Sequence, residues 1–156
     1  LFQVSYEVIS LSIMAILIII IVILLIIKLS GRLVSFEDYW KRATWLGLLG
    51  QLDRSILIAE KTLQLKGISE KQNAMCLLLI GDMLYRKLEY LEAIRYFDQG
   101  LQTALQYDIF YTEVYKDIIQ CYLITDNKNK AIELYNNLLA RQDFDKNFKK
   151  LEKIKL

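Results

Sequence analysis

The side chains able to do covalent or acid–base chemistry are few. The thiols are Cys76 and Cys121, carboxylate pairs are represented by Glu89 and Glu92, and the chain contains no histidine. Without imidazole, neither a Ser-His-Asp nor a Cys-His arrangement can be assembled. No glycines are spaced as GxGxxG and no GK[ST] occurs, so nothing resembles a loop that cradles phosphate. The cysteines stand 45 residues apart with no CxxC around either, which argues against a zinc site. Both fall in apolar helical contexts and read as small core residues rather than as a disulfide. Glu89 and Glu92 fall on a polar surface, where carboxylates are ordinarily solvated. The expectation is a protein without catalytic residues, metal, cofactor or small-molecule substrate. The chemistry left to it is recognition.

Two kinds of element must position a recognition surface here. The first is an uncharged run of 20 residues, 8–27, bracketed by Glu7 and Lys28 and ending in ten consecutive aliphatics. As a helix, about 20 residues suffice to cross the ~30 Å hydrocarbon core of a bilayer. A secretory signal peptide has a shorter apolar core and a small-residue cleavage pattern, which Lys28 to Arg32 do not supply. The run therefore predicts a single transmembrane helix over 8–27 in contact with the lipid bilayer, then a juxtamembrane linker over 28–35. Lys28, Arg32, Lys41 and Arg42 follow the span, while residues 1–7 carry no Lys or Arg. That asymmetry predicts a single-pass protein of the cell membrane with its remainder in the cytoplasm, the extracytoplasmic or periplasmic side being the alternative.

The second kind of element repeats. Slid against itself by 38 residues, the chain superposes Ile56, Ile94 and Ile132, then Leu63, Leu101 and Leu139, then the small residues Ser55, Ala93 and Ala131. Each copy has two apolar runs at helical spacing divided by a short polar break, as at Arg86 to Glu89 in the middle copy. Helical hairpins are predicted. Gly81 and Ala93 would let the two helices of the middle hairpin approach closely, with Phe97 filling the space beside them. Zero proline favours long uninterrupted helices. A single hairpin cannot bury its apolar face, so neighbouring copies must stack.

The middle copy carries Leu77, Ile80, Gly81, Leu84, Ala93, Phe97 and Gly100; the third carries Ile118, Ile119, Tyr122, Ala131, Tyr135 and Leu138. The first carries Tyr39, Ala43, Leu46, Ser55, Ala59 and Thr62. In residue type and interval this resembles the tetratricopeptide repeat family over roughly Phe36 to Arg141. The period departs from the family's ~34 residues and the characteristic proline is missing. Longer helices or loops at Glu70–Asn73 and Asp108–Tyr111 would absorb the extra residues. The resemblance implies an all-α chain: a short α-solenoid of about three hairpins over 36–141 (about 36–69, 74–107 and 112–141). Residues 142–156 would add a capping helix, basic and amphipathic, with Phe148, Leu151 and Ile154 on its apolar side.

The resemblance further implies a groove lined by the first helix of each hairpin, at Trp40 and Thr44, at Leu78, Asp82 and Tyr85, and at Glu113, Lys116 and Gln120. This mixed, partly aromatic lining suits a peptide or helix of a protein partner. Trp40 and Trp45, beside Lys41 and Arg42, could instead dock on lipid headgroups. A formal charge of +2, from 20 basic and 18 acidic residues, gives no case for nucleic acid. Two functions follow as expectations: a membrane-anchored adaptor that recruits a partner, or a scaffold subunit of a larger membrane, envelope, secretion or motility complex.

Overall fold

The structure is a computed structural model that describes residues 11–24 and 31–156. These residues form two separate units, one ending at Val34 and one running from Ser35 to Leu156. All described regular structure is helical.

In the first unit, residues 11–24 form a helix, α1, whose aliphatic side chains stand exposed. Among the described residues no helix is long and apolar enough to cross a membrane. This overturns the single-pass membrane localisation expected from the sequence, and the assignment of the repeats to one side of a bilayer falls with it. Hydropathy identifies an apolar run, whereas crossing requires one helix that is both long enough and apolar enough. Residues 8–10 and 25–27 of the expected span, and 28–30 of the expected linker, lie outside the described residues.

The second unit is a stack of helical hairpins: α2 (Phe36–Leu48) with α3 (Leu52–Leu63), α4 (Glu70–Arg86) with α5 (Tyr90–Ala104), and α6 (Val114–Ile124) with α7 (Lys128–Leu139). Serine caps start two of the first helices. Ser35 and Asp38 form a reciprocal capping box at α2, and Ser69 and Gln72 form another at α4. The extra residues of the 38-residue period are absorbed in both ways envisaged: 70–73 lengthen α4, while 108–111 remain a loop.

The period is written most clearly in the turns. Gly50, Leu88 and Asp126, each 38 residues from the next, all have positive φ, at 74°, 66° and 59°. Around each, the first helix ends in the same pair of hydrogen bonds. The Gln51, Glu89 and Asn127 amides donate to the Leu46, Leu84 and Tyr122 carbonyls at 2.9, 2.9 and 2.8 Å. The Gly50, Leu88 and Asp126 amides donate to the Gly47, Tyr85 and Leu123 carbonyls at 3.1, 2.9 and 3.3 Å. This is the Schellman ending, which satisfies the last carbonyls of a helix and reverses the chain. The following residue opens the second helix directly, so each hairpin turn is tight.

Small residues set the crossing within each hairpin. Ser55, Ala93 and Ala131 are all fully buried, and Ser55 Oγ donates to the Ala43 carbonyl at 2.7 Å. A Cβ at Gly81 would lie 2.5 Å from Phe97 Cδ1, so only glycine admits that ring. Phe97 is accordingly fully buried. Cys76 and Cys121 are buried free thiols, each pushed up to about 11 by burial.

Beyond α7 the chain departs from the expected capping helix. Ala140–Asp143 and Lys146–Lys153 are 3₁₀ helices. Phe148, Leu151 and Ile154 recur every third residue, and at three residues per turn they eclipse on one side, which an α-helix would spread. Phe148 and Leu151 are fully buried, with the Phe148 ring against Tyr111 and Tyr115. Arg141 donates to the Leu105 and Tyr107 carbonyls at 2.7 and 3.0 Å, closing the end of α5. The Tyr111 amide donates to Asp145 at 2.9 Å. The segment covers the third hairpin through those contacts.

Candidate functional site

The first helices of the hairpins adjoin one another, α4 touching both α2 and α6. Residues expected to line a groove therefore fall on neighbouring helices. At the 38-residue shift Trp40, Leu78 and Lys116 are equivalent, and so are Thr44, Asp82 and Gln120. Each set lies one helical turn from the other, so both belong to one face of α2, α4 and α6. That face grades from apolar at α2 to charged at α6.

Trp40, Thr44 and Leu78 share one groove of about 390 Å³ with Lys71, Met75, Leu79, Asp108, Ile109, Phe110, Thr112, Val114 and Tyr115. Several features hold it open. Trp40 stacks on Phe36 with ring centroids 6.1 Å apart. Leu78 rests on the backbone of α5 at Gly100, where a Cβ would meet Leu78 Cδ2 at 2.8 Å. Phe110, 71% exposed, projects from the 105–113 loop and touches Phe144 at 5.1 Å between centroids. The groove thus combines an aromatic from the first hairpin, aliphatics from the second and an aromatic loop before the third.

Asp82 and Tyr85 occupy the next turn of α4, outside that apolar groove. Asp82 is half-buried, and its carboxyl is raised to about 6, first by burial and then by the charge of Asp117, with Arg86 opposing. Asp117 is itself raised by burial and by Glu113. The Tyr85 hydroxyl is raised by burial and by Asp117. Arg86 offers these carboxylates only through-space compensation, because its guanidinium donates to the Gly47 carbonyl at 2.9 Å. Glu113 and Lys116 pair with each other at 2.7 Å, and the pairing lowers the Glu113 carboxyl. Gln120 shares the α6 face with Lys116 and Asp117 and is half-buried.

The eight expected positions thus divide in two. Trp40, Thr44 and Leu78 line the apolar groove, while Asp82 and Tyr85 join the polar extension with Glu113, Lys116 and Gln120 on its α6 side. Asp117 was missed, although its spacing of four from Glu113 and three from Gln120 marks the same helical face. Phe110 and Ile109 lie in a loop without periodicity, so no pattern announced them. Trp45 is half-buried on α2, on a different face from Trp40. Among the described residues no cluster of His, Cys, Asp or Glu could hold a metal ion. No protein-family model matches the sequence, and no curated protein matches it either.

Proposed function

We propose that the chain is a non-enzymatic adaptor, similar in kind to tetratricopeptide repeat proteins, whose groove takes a peptide or helix of a partner protein. The observation that carries this reading is the shared groove of Trp40, Leu78 and Phe110, an apolar recess built from separate hairpins and rimmed by Lys71, Thr44 and Asp108. Apolar recesses of this kind with a few polar groups at the rim suit aromatic or aliphatic anchors. The stacked hairpins with matched turns support the family likeness, since the same turn recurs at the sequence period.

A second reading, a packing subunit of a larger assembly, draws on the hairpin turns instead. Leu88, Leu91 and Ile124 are 69%, 77% and 52% exposed and lie beside one another there. Crosslinking in cells, followed by identification of partners, separates the two. An adaptor loses its enriched partner on Leu78→Asp and keeps it on Leu91→Glu. A packing subunit shows the opposite pattern with a stoichiometric partner, and recovery of the chain alone overturns both readings.

A further inference from the structure

The groove and its polar extension together describe the segment they would accept. Leu78 and Asp82 are one turn apart on α4, roughly 5–6 Å between Cβ atoms, so a single bound segment that reaches the apolar recess also reaches the carboxylates. Among the described residues neither Asp82 nor Asp117 accepts a hydrogen bond or forms an ion pair, and both remain open to solvent on one side. The surrounding charges are Arg86, Glu113 and Lys116. Glu113 and Lys116 neutralise each other, and Arg86 stands alone against two carboxylates while directed at the Gly47 carbonyl. The extension is therefore acidic at short range although the chain as a whole is slightly basic. A half-buried carboxylate without a donor is unfavourable in the free protein. A cation delivered from outside would relieve it.

Resting on the adaptor reading above, we infer that the groove's partner is a protein segment with an aromatic or aliphatic anchor for the Trp40–Leu78–Phe110 recess and, one turn away, a lysine or arginine received by Asp82 and Asp117. Charge complementarity selects this occupant over an acidic segment, which would meet uncompensated carboxylates. It also selects against the carboxylate-terminated peptides that basic grooves hold.

The test is selection of a displayed library of random 16-residue peptides on the full chain, followed by affinity measurement with the enriched peptides. Enrichment of Lys or Arg three or four positions from an apolar anchor is expected. Binding should weaken about tenfold or more on Asp82→Asn with Asp117→Asn, as for loss of a charge-assisted contact. Asp117→Arg should turn the preference toward Asp or Glu at the same position, a reversal that misfolding cannot imitate. Peptides that bind, are lost on Leu78→Asp, but show no basic preference and ignore the double asparagine variant would overturn the inference and leave the adaptor reading standing. Enrichment of acidic residues on the unaltered chain overturns it equally. Failure of any peptide to depend on Leu78 overturns both. A concentration-dependent dimer that Trp40→Glu dissolves gives the groove to a second copy and also sinks the inference.

Discussion

The second and third hairpins share a turn geometry but solve the packing problem differently. In the second, glycine at position 81 lets Phe97 press onto the backbone of α4 until the ring is fully buried. The equivalent pair in the third is Ile119 and Tyr135. Ile119 is fully buried, and Tyr135 remains half-buried. The third hairpin is more loosely joined within itself and takes its cover from Phe148 and Leu151 of the C-terminal segment. A recurring turn thus tolerates different interiors, provided that a loosely closed hairpin is covered by its neighbour. In stacked repeats stability is shared between each unit and its interfaces, and these two hairpins sit at different points of that division.

The largest effect should come from removing the difference. Gly81→Leu places a branched side chain where even a Cβ falls 2.5 Å from the Phe97 ring. The cost is expected at about 3 kcal/mol or more, as overpacking displaces both helices. A denaturant midpoint unchanged from the parent would show that the close approach is dispensable. Next, Phe148→Ala should cost about 3–4 kcal/mol through the cavity it leaves. The distinctive outcome is spatial: amide exchange should accelerate in α6 and α7 while α4 and α5 keep their protection. Uniform loss across all hairpins would refute the view that the C-terminal segment serves the third one.

A smaller effect, opposite in sign, concerns the acidic extension that joins these hairpins. The Asp82 carboxyl is raised from 3.8 to about 6, so the folded state holds a proton that the unfolded chain has released between those values. Stability attributable to Asp82 is therefore present at low pH and declines as pH rises through that window. At pH 7 the full cost is in force. Asp82→Asn should stabilise the protein at pH 7 by on the order of 1–2 kcal/mol and flatten its stability profile between about pH 4 and 6. A variant less stable than the parent at pH 7 would mean that Asp82 contributes to the fold. Smallest is the turn itself. Leu88 adopts φ 66° without glycine's freedom, so Leu88→Gly should stabilise by about 1 kcal/mol. Asp126→Gly should gain less, because aspartate tolerates that region. Equal gains at both positions would remove side-chain type from the explanation. These two values can be read from urea melts.

Much of this architecture was legible because helical packing leaves a periodic trace. Ser55, Ala93 and Ala131 marked the repeat, and Gly81 and Ala93 with Phe97 announced the close crossing of the middle hairpin. The triple spacing of Phe148, Leu151 and Ile154 was visible too, and three residues is the period of the 3₁₀ turn that carries Phe148 and Leu151. The aliphatic run at 8–27 misled more seriously. Its hydropathy suggested a membrane span, and the described helix 11–24 does not provide one. At the groove, Trp40, Leu78 and Asp82 are positions that the family resemblance implies, whereas Asp117 carries only the spacing of its helical face.

What the sequence by itself determined is the repeat: its period, its helical hairpins and the small residues at their crossings, because each depends on neighbours within a few turns of chain. What only the tertiary structure decided is the chemistry of the surface. Phe110 reaches the groove from a loop with no pattern, and Asp82 becomes a perturbed carboxyl only because α4 and α6 bring Asp117 near it. Burial and the field of a distant residue are properties of packing, and 35 positions of chain separate those two carboxylates.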